Sequence, residues 1–236
     1  MDSDFLLLGI TWYVAFLFST TCHEAAHALA AKLGGDLTAF HGGQVSLDPV
    51  PHIRREPFGM VVFPLLSYLA GGWMMGWASA PYDPFWARRH PRRAAWMSVA
   101  GPGANFALTI LAAIAIHIGI WIGVLTHPAS ASFTNLVDAA RPGALTGVAT
   151  LLSILFSLNL LLGIFNLLPI PPLDGFGAVG LFLGEESAQK LQNLGAQMGG
   201  FSMIGLLAAW KIFNPLFDPI FAIALRSLYP GVQYGI

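Results

Sequence analysis

Charge is what this chain has least of: 11 basic and 12 acidic side chains are spread over 236 residues of which 56% are hydrophobic. A chain so composed cannot be an ordinary soluble domain. The net charge of −1, without any basic tract, excludes nucleic acid as a partner and gives no basis for electrostatic docking to acidic surfaces. Cysteine is nearly absent too. Cys22 alone excludes an intrachain disulfide and is read as a small buried apolar residue. There is no internal repeat and no polar appendage, so residues 1–236 are expected to form a single membrane-embedded domain. The opening Met1-Asp2-Ser3-Asp4 lacks the basic region of a secretory signal, so the first apolar segment is expected to be retained.

What the chain has instead is apolar stretches of spanning length, at 5–33, 58–80, 94–125, 143–168 and 196–213, with a shorter Pro-interrupted stretch at 214–229. These predict an all-α polytopic membrane protein, a helical bundle of about five or six transmembrane or re-entrant segments. The alternating run from Gln44 to Leu47, bracketed by Gly42, Gly43 and Pro49, predicts a small β hairpin or edge strand after the first helix. Lys32, Arg54 and Arg55 follow the first apolar stretch, and Arg88, Arg89, Arg92 and Arg93 follow the second. The positive-inside rule assigns both loops to the cytoplasm, which one crossing at 58–80 forbids. That stretch carries Gly59, Pro64, Gly71, Gly72 and Gly76. Broken backbone is tolerated at membrane depth only where protein or a water-filled cavity satisfies it, so 58–80 is expected to be re-entrant. The remaining helices then alternate, in a multi-pass protein of the cell membrane.

Cys22-His23-Glu24-Ala25-Ala26-His27 places two imidazoles and a carboxylate inside the first apolar stretch. On a helix, His23 and His27 lie at i and i+4 on one face, where both can reach one Zn²⁺. Glu24, next to the pair, can take a proton from metal-activated water without ligating the metal. Cys22 is not expected to join them, because adjacent helix residues cannot both point at one ion. Ionisable side chains at membrane depth are costly and mark function. His27 falls about 9 Å from the inner end of its helix at 1.5 Å per residue, so the site should lie nearer the cytoplasmic side. Polar features of the later spans gather at the same end. The third opens with Ala100-Gly101-Pro102-Gly103-Ala104-Asn105, and the fourth runs out in Asn166-Leu167-Leu168-Pro169-Ile170-Pro171-Pro172-Leu173-Asp174-Gly175. Prolines end that helix and hold an extended turn that can aim Asp174 back at the metal. Two histidines, one carboxylate and a water make an open hydrolytic zinc site. Asn166 and Asn105 are candidates for hydrogen bonding an unwound substrate strand. His41 and His52 read as solvated loop residues, His117 as an interhelical hydrogen-bonding group, and Trp73, Trp77, Trp86 and Trp96 as a headgroup-level belt.

These residues resemble the site-2 proteases, a family of intramembrane zinc metalloproteases, over most of the chain. His23-Glu24-Ala25-Ala26-His27 is similar to the family's HExxH. Asn166 to Gly175 resembles its Asn-x-x-Pro-x-x-Pro-x-Asp-Gly motif, and Ala100-Gly101-Pro102 with Asn105 a further signature. The resemblance implies one zinc held by His23, His27 and Asp174, Glu24 as catalytic base, and a single-pass membrane protein as substrate. It implies a compact form without PDZ or nucleotide-sensing domains. One departure is Phe176, where a second glycine often follows Asp-Gly. A zinc-binding membrane transporter and a non-catalytic scaffold are the competing readings. The first has no need of a non-ligating Glu24, and the second no need of all four core residues. A prenyl-protein endopeptidase would want a later glutamate as third ligand, and after Glu56 only the adjacent Glu185 and Glu186 remain. Substrate, trigger and oligomeric state are not written in these motifs.

Overall fold

The computed structural model describes residues 3–197, 202–232 and 234. It is helical throughout apart from one small sheet. Helix α1 (Ser3–Leu33) is followed by two short helices, α2 (Thr38–His41) and α3 (Pro49–Arg55). A π-helical turn, Phe58–Val62, leads into α4 (Phe63–Gly71), and α5 (Pro84–Arg89) precedes the long α6 (Pro91–Trp121). Strands β1 (Leu125–Thr126) and β2 (Asp138–Ala139) pair antiparallel. Then come α7 (Ala144–Asn166), α8 (Asp174–Ala178), a 3₁₀ turn at Val179–Phe182, α9 (Glu185–Gln197) and α10 (Ser202–Leu228).

Among the described residues α1, α6 and α7 are long and apolar enough to cross a membrane, and α10 makes a fourth if its two halves are one span. Each spanning helix is apolar around its whole circumference, because one side packs on protein and the other is left for lipid. In α1 the buried side runs Gly9, Trp12, Phe16, Ser19, His23, His27 and Ala31 at intervals of three and four, while Leu6, Leu7, Ile10, Val14 and Phe18 are exposed. The two histidines therefore continue the packed stripe. That stripe meets α6 and α7, and the three helices enclose the buried polar residues Ser19, Asn105 and Asn159.

The stretch 58–80 holds no helix of spanning length among the described residues. Its helix, Phe58–Gly71, has 14 residues and reaches about 21 Å at 1.5 Å per residue, short of the roughly 30 Å hydrocarbon core. Gly72, at φ 75°, turns the chain, and the extended return brings Trp77 N–H to Gly59 C=O at 3.1 Å. A Cβ at Gly59 would overlap the Trp77 backbone and ring, so this close return needs glycine. Ser67 Oγ accepts from Met75 N–H, and Ser79 Oγ donates to Glu56. The excursion thus ends where it began, as a re-entrant segment should, with its backbone satisfied by protein.

Three expectations change. Residues 44–47 form no strand, because Gln44 reaches across to the Ser79 carbonyl (2.9 Å) and the segment is held between short helices, α3 being capped by Asp48. The small hairpin lies instead between α6 and α7, in a sheet of two strands. The stretches 196–213 and 214–229 are not separate helices: within the described part, α10 continues through Pro215 and Pro219. It bends by 48° between Ile204–Phe213 and Pro215–Leu228, as a missing N–H and the proline ring require. Residues 198–201 of the first stretch lie outside the described residues. Finally, α6 starts at Pro91, earlier than the apolar run, because its first turns pack against α5 and the end of α1. There Trp86 is buried, with Nε1 donating to Gly34 C=O (3.0 Å), and does not belong to an exposed belt.

Candidate metal centre

His23 and His27 project from the C-terminal half of α1, on the side facing α6, and both are buried. Each Nδ1 meets an oxygen. His27 Nδ1 lies 2.7 Å from the Met97 carbonyl, which can only accept, so this nitrogen carries the ring proton. His23 Nδ1 lies 2.5 Å from Asn105 Oδ1. Asn105 Nδ2 is committed to Asn159 Oδ1 at 2.8 Å, so its oxygen faces the imidazole and His23 also carries its proton on Nδ1. Both Nε2 atoms are left as lone pairs. They lie 2.9 Å apart.

Asp174 closes the triangle. Its Oδ2 is 3.1 Å from His23 Nε2 and 3.3 Å from His27 Nε2. The local sequence explains its placement. Helix α7 stops at Asn166 because Pro169, Pro171 and Pro172 offer no N–H, and the Ile170 carbonyl accepts from Leu173 N–H (2.9 Å), tightening the turn. Gly175 then passes so close to the Leu167 and Leu168 carbonyls that a Cβ would overlap both, so the Asp-Gly pair needs its glycine.

With both ring protons on Nδ1, three electron-rich atoms face one another with no donor among them, an arrangement that is repulsive unless a cation is shared. A tetrahedral zinc with bonds of about 2.0–2.1 Å sets its ligand atoms about 3.3 Å apart, and the observed separations of 2.9, 3.1 and 3.3 Å fit that edge length. His23, His27 and Asp174 form the one His/Cys/Asp/Glu group among the described residues able to hold a metal. Cys22 is outside it. The donor set of two imidazoles and one carboxylate suits zinc.

Glu24 sits beside this triangle, only 6% exposed, and its carboxylate makes no hydrogen bond or ion pair among the described residues. Asn105, expected against substrate, is fully buried with its oxygen on His23 and its nitrogen on Asn159. Asn166 is half-buried at the end of α7, where Nδ2 donates to Leu162 C=O (3.0 Å). His52, read as a solvated loop residue, is fully buried and donates from Nε2 to Ser46 C=O (3.1 Å). His41 is exposed as expected, and His117 is exposed and set edge-on to Tyr229 at 6.5 Å, without an interhelical hydrogen bond among the described residues.

Sequence reasoning gave no role to three residues of the site: Met97, whose carbonyl holds His27, Gly101 and Asn159. Gly101 lies so close to the imidazoles that a Cβ there would overlap both Nε2 atoms. Asn159, fully buried in the middle of α7, anchors Asn105. An amide inside Leu158-Asn159-Leu160-Leu161 is itself a signal, since polar groups in apolar spans are costly.

Comparison with known proteins agrees with this geometry. The model of peptidase family M50 matches residues 11–207. The chain is 35% identical over 164 residues to "Putative zinc metalloprotease YwhC" of Bacillus subtilis, covering 69% of this chain and 64% of that protein. It is 28% identical over 213 residues to "Putative zinc metalloprotease Rip2" of Mycolicibacterium smegmatis, covering 90% of this chain and 70% of the relative. To the protein of the same name in Mycobacterium tuberculosis it is 30% identical over 185 residues, covering 75% of this chain and 58% of the relative. The chain thus spans about two thirds of the length of these curated relatives. No solved structure matches it.

Proposed function

The chain belongs to peptidase family M50, and on that premise we propose that it is an intramembrane zinc metalloprotease that hydrolyses a peptide bond within a transmembrane segment of another membrane protein. One observation carries this reading: three lone-pair atoms converge on a point inside the bundle, beside a buried carboxylate that has no hydrogen-bond or ion-pair partner among the described residues. His23 and His27 would hold one zinc ion per chain through Nε2, and Asp174 through Oδ2. Bound there, zinc supplies Lewis-acid chemistry, polarising a carbonyl and lowering the pKa of water towards about 7.

The chain's own groups supply the remainder. Glu24 takes the proton from the attacking water and hands it to the leaving amine, a role open to it because no hydrogen bond or ion pair among the described residues holds its carboxylate. Met97 and Asn105 fix the two imidazoles with Nε2 inward. Asn166 Oδ1, without a partner among the described residues, is placed to accept from a substrate N–H. The proline-held segment from Pro169 to Leu173 offers backbone groups to an unwound strand. The arginine-rich loop and the end of α1 lie together, Arg93 donating to Gly34 C=O at 3.0 Å, and we assign this end to the cytoplasm by the positive-inside rule. We read the whole as one metalloprotease domain in the cell membrane.

Trapping tests the reading. Glu24→Gln expressed in cells and crosslinked is expected to accumulate single-pass membrane proteins that the wild type does not retain. A Glu24→Gln protein that transports zinc and captures no membrane protein would establish a transporter instead.

A further inference from the structure

The orientation of Asn105 decides whether His23 can bind a metal at all, and nothing in Asn105 itself fixes that orientation. A carboxamide can present either its oxygen or its NH₂ to Nδ1 of His23. Oxygen inward leaves the ring proton on Nδ1 and a lone pair on Nε2. Nitrogen inward reverses the tautomer and points an N–H at the metal position. The choice is made one helix away. Asn159 Nδ2 donates to the Leu155 carbonyl (2.8 Å), which has no donor to offer, and to Ser19 Oγ (2.8 Å). Asn159 Oδ1 must therefore face Asn105, and it accepts only from the Asn105 NH₂.

We propose that Asn159 is a positioning residue for the metal centre: by reading the Leu155 carbonyl it fixes Asn105 oxygen-inward and holds His23 as the Nδ1–H tautomer, ready to ligate. The chain Leu155–Asn159–Asn105–His23 crosses α7, α6 and α1, and Asn105 and Asn159 are fully buried, so no water competes for their hydrogen bonds. The inference rests on the zinc reading above. It gives α7 two parts in the site, since the proline-held turn that follows its C-terminal end also leads to Asp174 at the start of α8.

Zinc affinity, measured by chelator competition on the purified full chain in detergent, tests it. Asn159→Leu is expected to weaken zinc binding about 10–100-fold, the range for outer-shell partners of metal-bound histidine. Asn159→Asp, as the neutral acid that a water-free apolar interior favours, still offers an acceptor to Asn105 and an O–H to the Leu155 carbonyl, and should stay within about threefold of the wild type. In an Asn105→Asp background the residue at 105 accepts through either oxygen, so adding Asn159→Leu should cost no further affinity. If Asn159→Leu is not recovered folded, Asn159→Ala takes its place. Equal losses in Asn159→Leu and Asn159→Asp, or a full loss persisting in the Asn105→Asp background, would make Asn159 a packing residue and overturn the proposal. His23→Ala separates the two levels. Tight zinc retained there would overturn the metal site itself, whereas zinc lost there but unchanged in Asn159→Leu would overturn only the role of Asn159.

Discussion

Gly101 is the glycine that faces both imidazoles directly. A methyl group there enters the space between the two imidazoles, so Gly101→Ala should cost about tenfold or more in zinc affinity while the protein stays folded. Gly103→Ala, two residues on and open to space, should bind zinc normally, and chelator competition on the two proteins checks the contrast. By the same measurement, zinc should be lost in His23→Ala, His27→Ala and Asp174→Ala and retained in Glu24→Gln. At this scale the sequence disclosed whatever is local. The i, i+4 pair with its adjacent carboxylate can be read from helix geometry, and Asp174 from the prolines that aim it. Gly101, Met97 and Asn159 could not be read that way, because their roles are contacts across helix interfaces, and periodicity within one helix says nothing about which atom of a neighbour lies opposite. Asn105 shows the limit most plainly. Its place beside the site was legible, but the direction in which its amide faces was not.

Among the elements, the short helix and close return of 58–80 were legible because two basic loops flank an apolar run broken by glycine and proline, and we propose that the stretch is re-entrant. With Cys22 replaced, cysteines at positions 54 and 89 should both resist an impermeant thiol reagent in intact cells and react after lysis. Labelling on opposite sides would make 58–80 a span. The misplaced hairpin has a physical reason: alternation over Gln44 to Leu47 implies a strand only if a partner strand exists, and here the Gln44 amide is taken by Ser79. The sheet that does form is two residues long on each side, too short to leave a pattern. Asp36 ties the end of α1 to the loop before α5. Burial pushes its carboxyl up, but hydrogen bonds from Thr38 and from Asp83 N–H outweigh that and hold it below the usual carboxylate range. A depressed folded pKa gives stability that is present above the unfolded value and lost as pH falls through the folded one. Thermal unfolding in detergent should therefore show acid destabilisation setting in below about pH 4, and Asp36→Asn should unfold at lower temperature near neutral pH and lose less on acidification.

At the scale of the whole molecule, the bundle buries a polar, metal-ready cluster where α1, α6 and α7 meet, about two turns from the end of α1 against which Arg93 lies. If the substrate is a transmembrane helix, as proposed, it must unwind to reach this cluster, and the fewest hydrogen bonds have to break near a helix end. Cleavage should therefore fall in the inner half of the target segment, and a Gly or Pro introduced there should raise turnover while Leu in place of a native helix breaker lowers it. Composition made the membrane class plain from the start, but the depth of the site depended on how the helices stack. The most direct test is product mass from purified wild-type and Glu24→Gln protein, each carrying one zinc, acting on a model transmembrane substrate. The account predicts one inner-half cut by the wild type, abolished by a chelator, and none by Glu24→Gln; cutting by Glu24→Gln at the wild-type rate, or cutting confined to the outer half, would contradict it.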